Sequence, residues 1–134
     1  MNVQSIGIKS KNIGDLILKV KRGLPVSSFE KLRKRLGVSD NFLAQVVNIP
    51  KRTLTRRKQQ GRFNAQESEK VLRIARLYDK ALEVFEDEQA AEMWLKAPAR
   101  GLGEVVPLTY AKTELGAQEV EKLLTRIEHG VFPG

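Results

Sequence analysis

Apolar residues recur every three to four positions along most of the chain, and strand-like alternation is nowhere convincing. The sequence therefore predicts an all-α protein. Cap residues set the expected helix boundaries. The predicted starts are Asn12, Ser27 or Ser28, Ser39, Pro50, Asn64 with Glu67 as its capping-box partner, Asp87 and about Gly116. The predicted ends are Gly23, Gly37, Gly61, Pro98 and Gly130.

Three stretches leave their structure or packing open. Residues 1–11 carry little signal, and we expect them to be loosely held or to lie on a neighbour. The first helix is too short to be stable alone, so its apolar face packs either on a dimer partner or on its own subunit. The loop 99–107 is expected to be ordered but non-helical. The predicted divisions are 1–25, an N-terminal segment with a short helix; 26–86, a helix-turn-helix domain including a long connecting helix; and 87–134, a small helical domain with a C-terminal tail.

The stretch from Leu36 to Gly61 has the layout of a helix-turn-helix, with a tight connection at 48–50. Six cations and no acidic residue lie between Lys51 and Arg62. A recognition helix presents basic and polar side chains to DNA, and Leu54 would hold this one to its scaffold. We therefore interpret the second helix of the pair as a DNA reader. A basic helix face that is merely solvated is the alternative.

The chemistry of the side chains divides this helix into two kinds of contact. The expected base-side contacts are Lys51, Arg52 and Arg56. Arg52 and Arg56 share a helix face and can reach guanine, whereas the Thr55 methyl can touch a thymine. The cations at the far end are better placed for phosphates, which give affinity without sequence information. The predicted DNA-binding residues are Lys51, Arg52, Thr53, Thr55, Arg56, Arg57, Lys58 and Arg62.

The net charge of +8 is unevenly divided. Residues 1–62 carry 15 Lys/Arg against 3 Asp/Glu, a balance of +12, whereas residues 63–134 carry 9 against 13, a balance of −4. The basic half suits a polyanion. The acidic half indicates a second surface for a different partner.

Several classes of function are disfavoured by what the sequence lacks. There is no cysteine, so neither a disulfide nor a Cys-based metal site is expected. His129 is the only histidine, no glycine-rich phosphate loop is present, and Glu86, Asp87 and Glu88 indicate a helix start rather than an acid/base pair. We therefore expect no enzyme, no cofactor and no metal. No apolar run is long enough for a membrane span and no secretory signal is evident, so a cytoplasmic protein is expected.

Seven short segments from Gly23 onward form a recognisable combination. They are GLP (Gly23–Pro25), TLTRRKQQGRF (Thr53–Phe63), ESEKVLRIARL (Glu67–Leu77), WLKAP (Trp94–Pro98), LG (Leu102-Gly103), PL (Pro107-Leu108) and RIEHGVFP (Arg126–Pro133). In this combination the chain resembles the Xre/MbcA/ParS antitoxins. The resemblance implies a helix-turn-helix domain followed by a toxin-binding domain, with a cognate RES-domain, NAD-degrading toxin as partner. Two departures are Glu104, where relatives usually have a second glycine, and Tyr110-Ala111, which replaces a more aliphatic pair.

The end of the chain is the candidate toxin-binding site. Beyond Gly130 lies an apolar tail that nothing close in sequence can bury, so it either inserts into a partner groove or has no role. The resemblance implies that this region covers the entrance to the toxin's active site. The hypothesised toxin-binding residues are Arg126, Glu128, His129, Val131, Phe132, Pro133 and Gly134. Simpler interpretations are a core role for Trp94 and a helix-dipole contact for His129.

We predict an antitoxin of a type II toxin-antitoxin pair. It would sterically inhibit a RES-type NAD-degrading toxin and repress its own operon by binding operator DNA, as a homodimer and as a hetero-oligomer with the toxin. The alternative is a helix-turn-helix transcriptional regulator whose C-terminal domain only mediates dimerisation. A structural or partitioning protein is a third possibility.

Overall fold

The computed structural model of the chain describes residues 2–130, which form two compact units, one ending at Ala75 and one beginning at Arg76. Both units are mainly helical, as the hydrophobic pattern predicts. The α-helices span Ile13–Arg22 (α1), Ser27–Leu36 (α2), Asp40–Val46 (α3), Lys51–Gln60 (α4), Ala65–Phe85 (α5), Glu88–Lys96 (α6), Pro107–Tyr110 (α7) and Glu114–Glu128 (α8). Within residues 2–130, no helix is both long and apolar enough to cross a membrane.

The N-terminal residues form a small hairpin that departs from the all-helical pattern. Asn2–Val3 (β1) pairs antiparallel with Ile8–Lys9 (β2). Between these strands Ser5 is buried, and its Oγ donates a hydrogen bond to the carbonyl of Ala75 at 3.1 Å. The expectation of a loosely held segment is therefore wrong for the described part. Strands of two residues are too short to produce a visible alternation.

Helix α1 begins where the sequence predicts. Asn12 Oδ1 accepts a hydrogen bond from the N–H of Asp15 at 2.9 Å, which is an N-cap. Leu16 and Val20 are buried, so one side of the helix packs on its own unit. The large apolar side chains of α1 that remain exposed are Ile13, Ile17 and Leu18, at 51%, 48% and 49%.

The turn before α2 depends on a glycine. Gly23 has a φ of +96°, and a Cβ at this position would lie 2.0 Å from the carbonyl oxygen of Phe63. Two backbone hydrogen bonds follow, from Phe63 N–H to Leu24 O and from Val26 N–H to Gly61 O, both at 3.0 Å. The chain entering α2 is therefore held against the chain leaving α4.

The predicted serine cap of α2 is wrong. Ser27 is already the first residue of the helix, and the preceding Val26 has helical backbone angles (φ −61°, ψ −25°) without a side-chain cap. The carbonyl of Pro25 accepts from the N–H of Ser28 at 2.9 Å, so a turn leads into the helix instead. Ser28 Oγ is buried and has no hydrogen-bond partner in the part of the chain described.

Two caps predicted further along are confirmed. Ser39 Oγ accepts from the N–H of Phe42 at 3.1 Å and begins α3. Asp87 Oδ2 accepts from the N–H of Ala90 at 2.8 Å and begins α6. Such bonds satisfy backbone N–H groups of the first helical turn, which have no carbonyl partner within the helix.

Helices α7 and α8 of the second unit meet at a close backbone contact. A Cβ at Gly116 would lie 1.7 Å from the carbonyl oxygen of Tyr110, so this position requires glycine. The sequence predicts that α8 begins at about Gly116, but the helix begins at Glu114. Thr113 Oγ1 accepts a hydrogen bond from the N–H of Gly116 at 3.0 Å and caps the helix. The glycine serves close packing rather than initiation.

The segment 99–107 is ordered, but it contains a 3-10 turn at Arg100–Leu102 that the prediction of a non-helical loop did not include. Its ends are joined by a hydrogen bond from Ala99 N–H to Val105 O at 3.1 Å. Glu104 has a φ of +66°, in the left-handed region that glycine favours. Glu104, which stands where relatives usually have a second glycine, therefore adopts a strained backbone conformation.

Candidate functional site

The turn of the helix-turn-helix is built around a residue in the left-handed conformation. Asn48 has a φ of +53°, which asparagine tolerates better than most residues with a Cβ. Next to it, the N–H of buried Ile49 donates to Ala44 O at 2.9 Å. Pro50 then precedes α4 without a side-chain cap, as its chemistry requires. This tight connection sets where the recognition helix begins.

Helix α4 exposes a polar and basic face. Leu54 is its buried residue, with 4% of its surface exposed. At about 100° per residue, the side of the helix opposite Leu54 is occupied by Arg52, Arg56 and Gln59, all exposed. The side chains of Arg52 and Arg56 form no hydrogen bond or ion pair with any described residue, and the charge of Arg56 only helps to lower the pKa of Glu67. Two guanidinium groups one helical turn apart are therefore presented to solvent.

Arg57 turns the other way. Its Nε lies 2.7 Å from Glu67 Oε1, and its Nη2 lies 3.2 Å from Glu67 Oε2. Both side chains are mostly buried, at 18% and 11% exposed. Burial alone would raise the pKa of the Glu67 carboxyl, but the hydrogen bonds from Arg57 and from the N–H of Asn64 lower that pKa below its ordinary value. The pair fixes α4 to the start of α5.

Lys58 belongs to a second charge cluster, made of Glu30, Arg33, Asp40 and Lys58. Its Nζ donates to Asp40 Oδ2 at 2.6 Å and lies 3.7 Å from Glu30 Oε1. Arg33 Nε lies 2.9 Å from Asp40 Oδ1. The hydrogen bond to Asp40 raises the pKa of Lys58, while partial burial acts in the opposite direction. This cluster ties α4 to α2 and to the first turn of α3.

The remaining predicted DNA-binding residues lie in three settings. Lys51 is exposed at the start of α4, and Thr53 is half-buried. Thr55 is exposed, but its hydroxyl donates to the carbonyl of Lys51 at 3.1 Å, so its O–H is already used whereas its methyl is free for a base contact. Arg62 donates through Nη1 to the carbonyl of Gly23. The cations of this stretch are thus divided into outward and inward groups.

Gln59 is absent from the predicted DNA-binding residues. It lies seven positions after Arg52, so it shares the same face two turns later. A glutamine amide can pair with adenine in the major groove, which makes it a candidate base contact. The recurrence of polar residues at 52, 56 and 59 on one helix face is the sequence signal that indicates this residue.

In the second unit, the three described residues of the predicted toxin-binding site are not equivalent. Glu128 Oε1 accepts from Lys80 Nζ at 3.1 Å, so this carboxylate joins the end of α8 to α5. His129 is 68% exposed in its side chain and lies at the C-terminus of α8, consistent with a dipole contact. Arg126 is exposed on α8. The other predicted residues, Val131 to Gly134, lie outside the described part of the chain.

Trp94 has a packing role within this unit. Its ring is partly buried and lies 5.8 Å from the ring of Phe85, centroid to centroid, with an interplanar angle of 43°. This geometry is typical of aromatic pairs in a core. The contact gives Trp94 a packing role, but both rings are only partly buried, at the edge of the core.

Two family models match the chain. Residues 15–76 match the antitoxin Xre-like helix-turn-helix domain, and residues 80–130 match the antitoxin Xre/MbcA/ParS C-terminal toxin-binding domain. These matches agree with the outward basic face in the first unit and indicate a toxin as the partner of the second.

Individual relatives cover nearly the whole chain. The chain is 34% identical over 131 residues to antitoxin Xre of Yersinia enterocolitica, covering 96% of this chain and 88% of the relative. It is 34% identical over 130 residues to antitoxin Xre of Photorhabdus laumondii, with the same 96% and 88% coverage. It is 23% identical over 128 residues to the Prs ADP-ribosylating antitoxin of Sphingobium sp., covering 88% and 80%. The chain belongs to the Xre family of antitoxins, in which a helix-turn-helix domain is followed by a toxin-binding domain.

Proposed function

We propose that this antitoxin inhibits a RES-type NAD-degrading toxin and represses its own operon by binding operator DNA. The observation that carries the DNA half is the outward face of α4, where Arg52 and Arg56 are exposed and unpaired among the described residues. Because Arg57, Lys58 and Arg62 already have intrachain partners, this face is not simply one side of a uniformly charged helix. This face presents two guanidinium groups without intrachain partners and one glutamine amide.

On this proposal the outward residues contact DNA and the inward ones position the helix. Arg52, Arg56 and Gln59 face the base edges, and Lys51 contacts a phosphate at the start of α4. Arg57 and Lys58 act as positioning residues, since their charges are directed at Glu67 and Asp40. Arg62 holds the turn at Gly23, where it can still contribute to the positive field over the phosphates.

The toxin half of the proposal rests on the second unit. Arg126 is exposed in the last turn of α8, and His129, the C-cap of this helix, is also exposed. Both residues precede the apolar tail in the sequence. We propose that this end of the domain and the tail, including Phe132, cover the toxin's active-site entrance and exclude its substrate. The role is steric and non-catalytic, requires no cofactor, and is exercised in the cytoplasm.

Helix α1 offers a surface for the homodimer. Ile13, Ile17 and Leu18 are each about half exposed, although Leu16 and Val20 pack inward. Gly14 lies among these exposed side chains, and a Cβ there would meet only Asn12 Oδ1. A glycine without an internal packing reason permits close approach of another helix. We therefore assign the dimer contact to α1, which leaves one recognition helix per protomer for each operator half-site.

The proposal is tested by separating its two activities. The chain is co-expressed with the product of the adjacent gene, and complex formation, growth rescue and operator binding are measured. We expect wild type to bind both partners, and Arg52→Ala with Arg56→Ala to lose operator binding while still neutralising the toxin. Failure of wild type to bind the neighbouring product, with operator binding intact, would favour a plain transcriptional regulator instead.

A further inference from the structure

Two exposed side chains emerge from the corner where α7 meets α8. Leu115 is 75% exposed and Tyr110 is 37% exposed. The backbone contact between Tyr110 and Gly116 fixes this corner, because only a glycine allows the approach. The Tyr110 hydroxyl forms no hydrogen bond within residues 2–130. An apolar side chain beside a tyrosine with a free hydroxyl is a combination typical of binding surfaces.

The solvent-exposed face of α8 extends the surface from this corner to the C-terminus of the helix. The buried face contains Ala117, Val120, Leu123 and Leu124. At about 100° per residue, the exposed residues of the opposite face fall within an arc of about 80°. These residues, called the α8 stripe, are Leu115, Gln118, Lys122, Arg126 and His129. The stripe is about 21 Å long at a rise of about 1.5 Å per residue.

The stripe is chemically graded. Its first end is apolar, at Leu115, and its second end is basic, at Lys122 and Arg126. The basic end contrasts with its surroundings, since residues 76–134 carry 7 Lys/Arg against 11 Asp/Glu, a balance of −4. Its ion pairing is weak, because Lys122 lies 3.8 Å from Glu119 and both side chains are well exposed. A complementary partner would offer an apolar pocket for one end and carboxylates for the other.

We infer that the toxin docks along the α8 stripe, from the α7–α8 corner to the last turn of the helix. This inference rests on the proposed function and specifies where the toxin-binding domain makes its main contact. The matched toxin-binding domain spans residues 80–130 and therefore contains the whole stripe.

The test uses the full-length chain and the purified product of the adjacent gene. Leu115→Glu places a charge in the apolar end, and Lys122→Glu reverses a charge in the basic end. An acidic residue in the first turn of a helix is favoured by the helix dipole, so Leu115→Glu is expected to fold. The matched control is Met93→Glu, which alters an apolar side chain of α6 that is 66% exposed and to which no binding role is assigned. Circular dichroism and the fluorescence of the single tryptophan, Trp94, check folding.

We expect Leu115→Glu and Lys122→Glu each to raise the Kd for the toxin at least about tenfold, whereas Met93→Glu leaves it within about twofold. Wild-type binding by both stripe variants would overturn the inference and leave the proposed function standing. Absence of binding by wild type itself would instead defeat the proposed function. If Leu115→Glu abolishes self-association measured by light scattering but not toxin binding, the stripe is an interface between copies and the inference is wrong.

Discussion

Arg57 and Glu67 form a two-point ion pair that connects the recognition helix to the start of the long helix α5, with distances of 2.7 and 3.2 Å. The same carboxylate accepts a hydrogen bond from the N–H of Asn64 at 2.9 Å, and Asn64 Oδ1 accepts from the N–H of Glu67 at 2.8 Å. This reciprocal capping box confirms the predicted start of α5. The side chain of Glu67 therefore caps α5 and orients α4.

Removing Arg57 should destabilise the fold. We expect Arg57→Ala to lower the free energy of unfolding by about 1–3 kcal/mol, because Glu67 would keep a mostly buried charge without its principal partner. Arg56→Ala, one position away on the exposed side, should change it by less than about 0.5 kcal/mol. Urea denaturation followed by circular dichroism measures both. Equal stability of the two variants would contradict a positioning role for Arg57.

The same pair should make stability depend on pH in the acid range. The pKa of folded Glu67 is lowered from its ordinary value of 4.5, so the unfolded chain takes up this proton at a higher pH than the folded chain does. The stabilisation is therefore complete above about pH 5.5 and is lost as the pH falls through the folded pKa. The difference in unfolding free energy between wild type and Glu67→Gln should shrink over this interval. A difference that stays constant down to the lowest pH would show that ionisation of Glu67 is not responsible.

DNA binding should separate charge contacts from base contacts on α4. We expect Arg52→Ala and Arg56→Ala each to weaken operator binding by about 1–3 kcal/mol. Gln59→Ala should weaken operator binding without changing the slope of log K against log salt, because a neutral side chain releases no counterions. Fluorescence anisotropy with operator and with scrambled DNA over a range of salt measures these effects. Equal loss on both DNAs for Gln59→Ala would exclude base reading by this residue.

The basic residues of α4 could be predicted as a group from the sequence, but the outward cations could not be distinguished from the inward ones. Local signals were sufficient for Ser39, Asp87 and the Asn64–Glu67 box, since a cap acts within three residues. The partners of Arg57 and Lys58 lie 10 and 18 positions away, so counting cations could not distinguish them from Arg52 and Arg56. Their position beside buried Leu54 on the helix surface was a partial clue. The hairpin at β1 and β2 escaped prediction because its strands are too short for a pattern.

Two buried serines should respond oppositely to loss of the hydroxyl. Ser68 Oγ accepts from the N–H of Leu24 at 2.7 Å, whereas Ser28 Oγ has no partner among the described residues. Ser68→Ala should lower the free energy of unfolding by about 1–3 kcal/mol, because it leaves a buried donor unsatisfied. Ser28→Ala should leave it unchanged or raise it by up to about 1 kcal/mol. Thermal and urea denaturation of the two variants provide the comparison, and a loss of stability in Ser28→Ala would reveal a partner for its hydroxyl.

Glu104 should be a strained position that glycine relieves. It follows Gly103, and both residues have a φ of +66°. An L-residue in this conformation costs about 1–2 kcal/mol, whereas glycine adopts it readily but loses more chain entropy on folding. We therefore expect Glu104→Gly to be more stable than Glu104→Ala by about 1 kcal/mol, with both variants lacking the same carboxylate. Denaturation followed by the fluorescence of Trp94 reports on this unit directly, because the indole packs on Phe85. If the alanine variant is the more stable of the two, backbone strain at this turn is not a significant term, and the carboxylate of Glu104 would have to account for any effect of its removal.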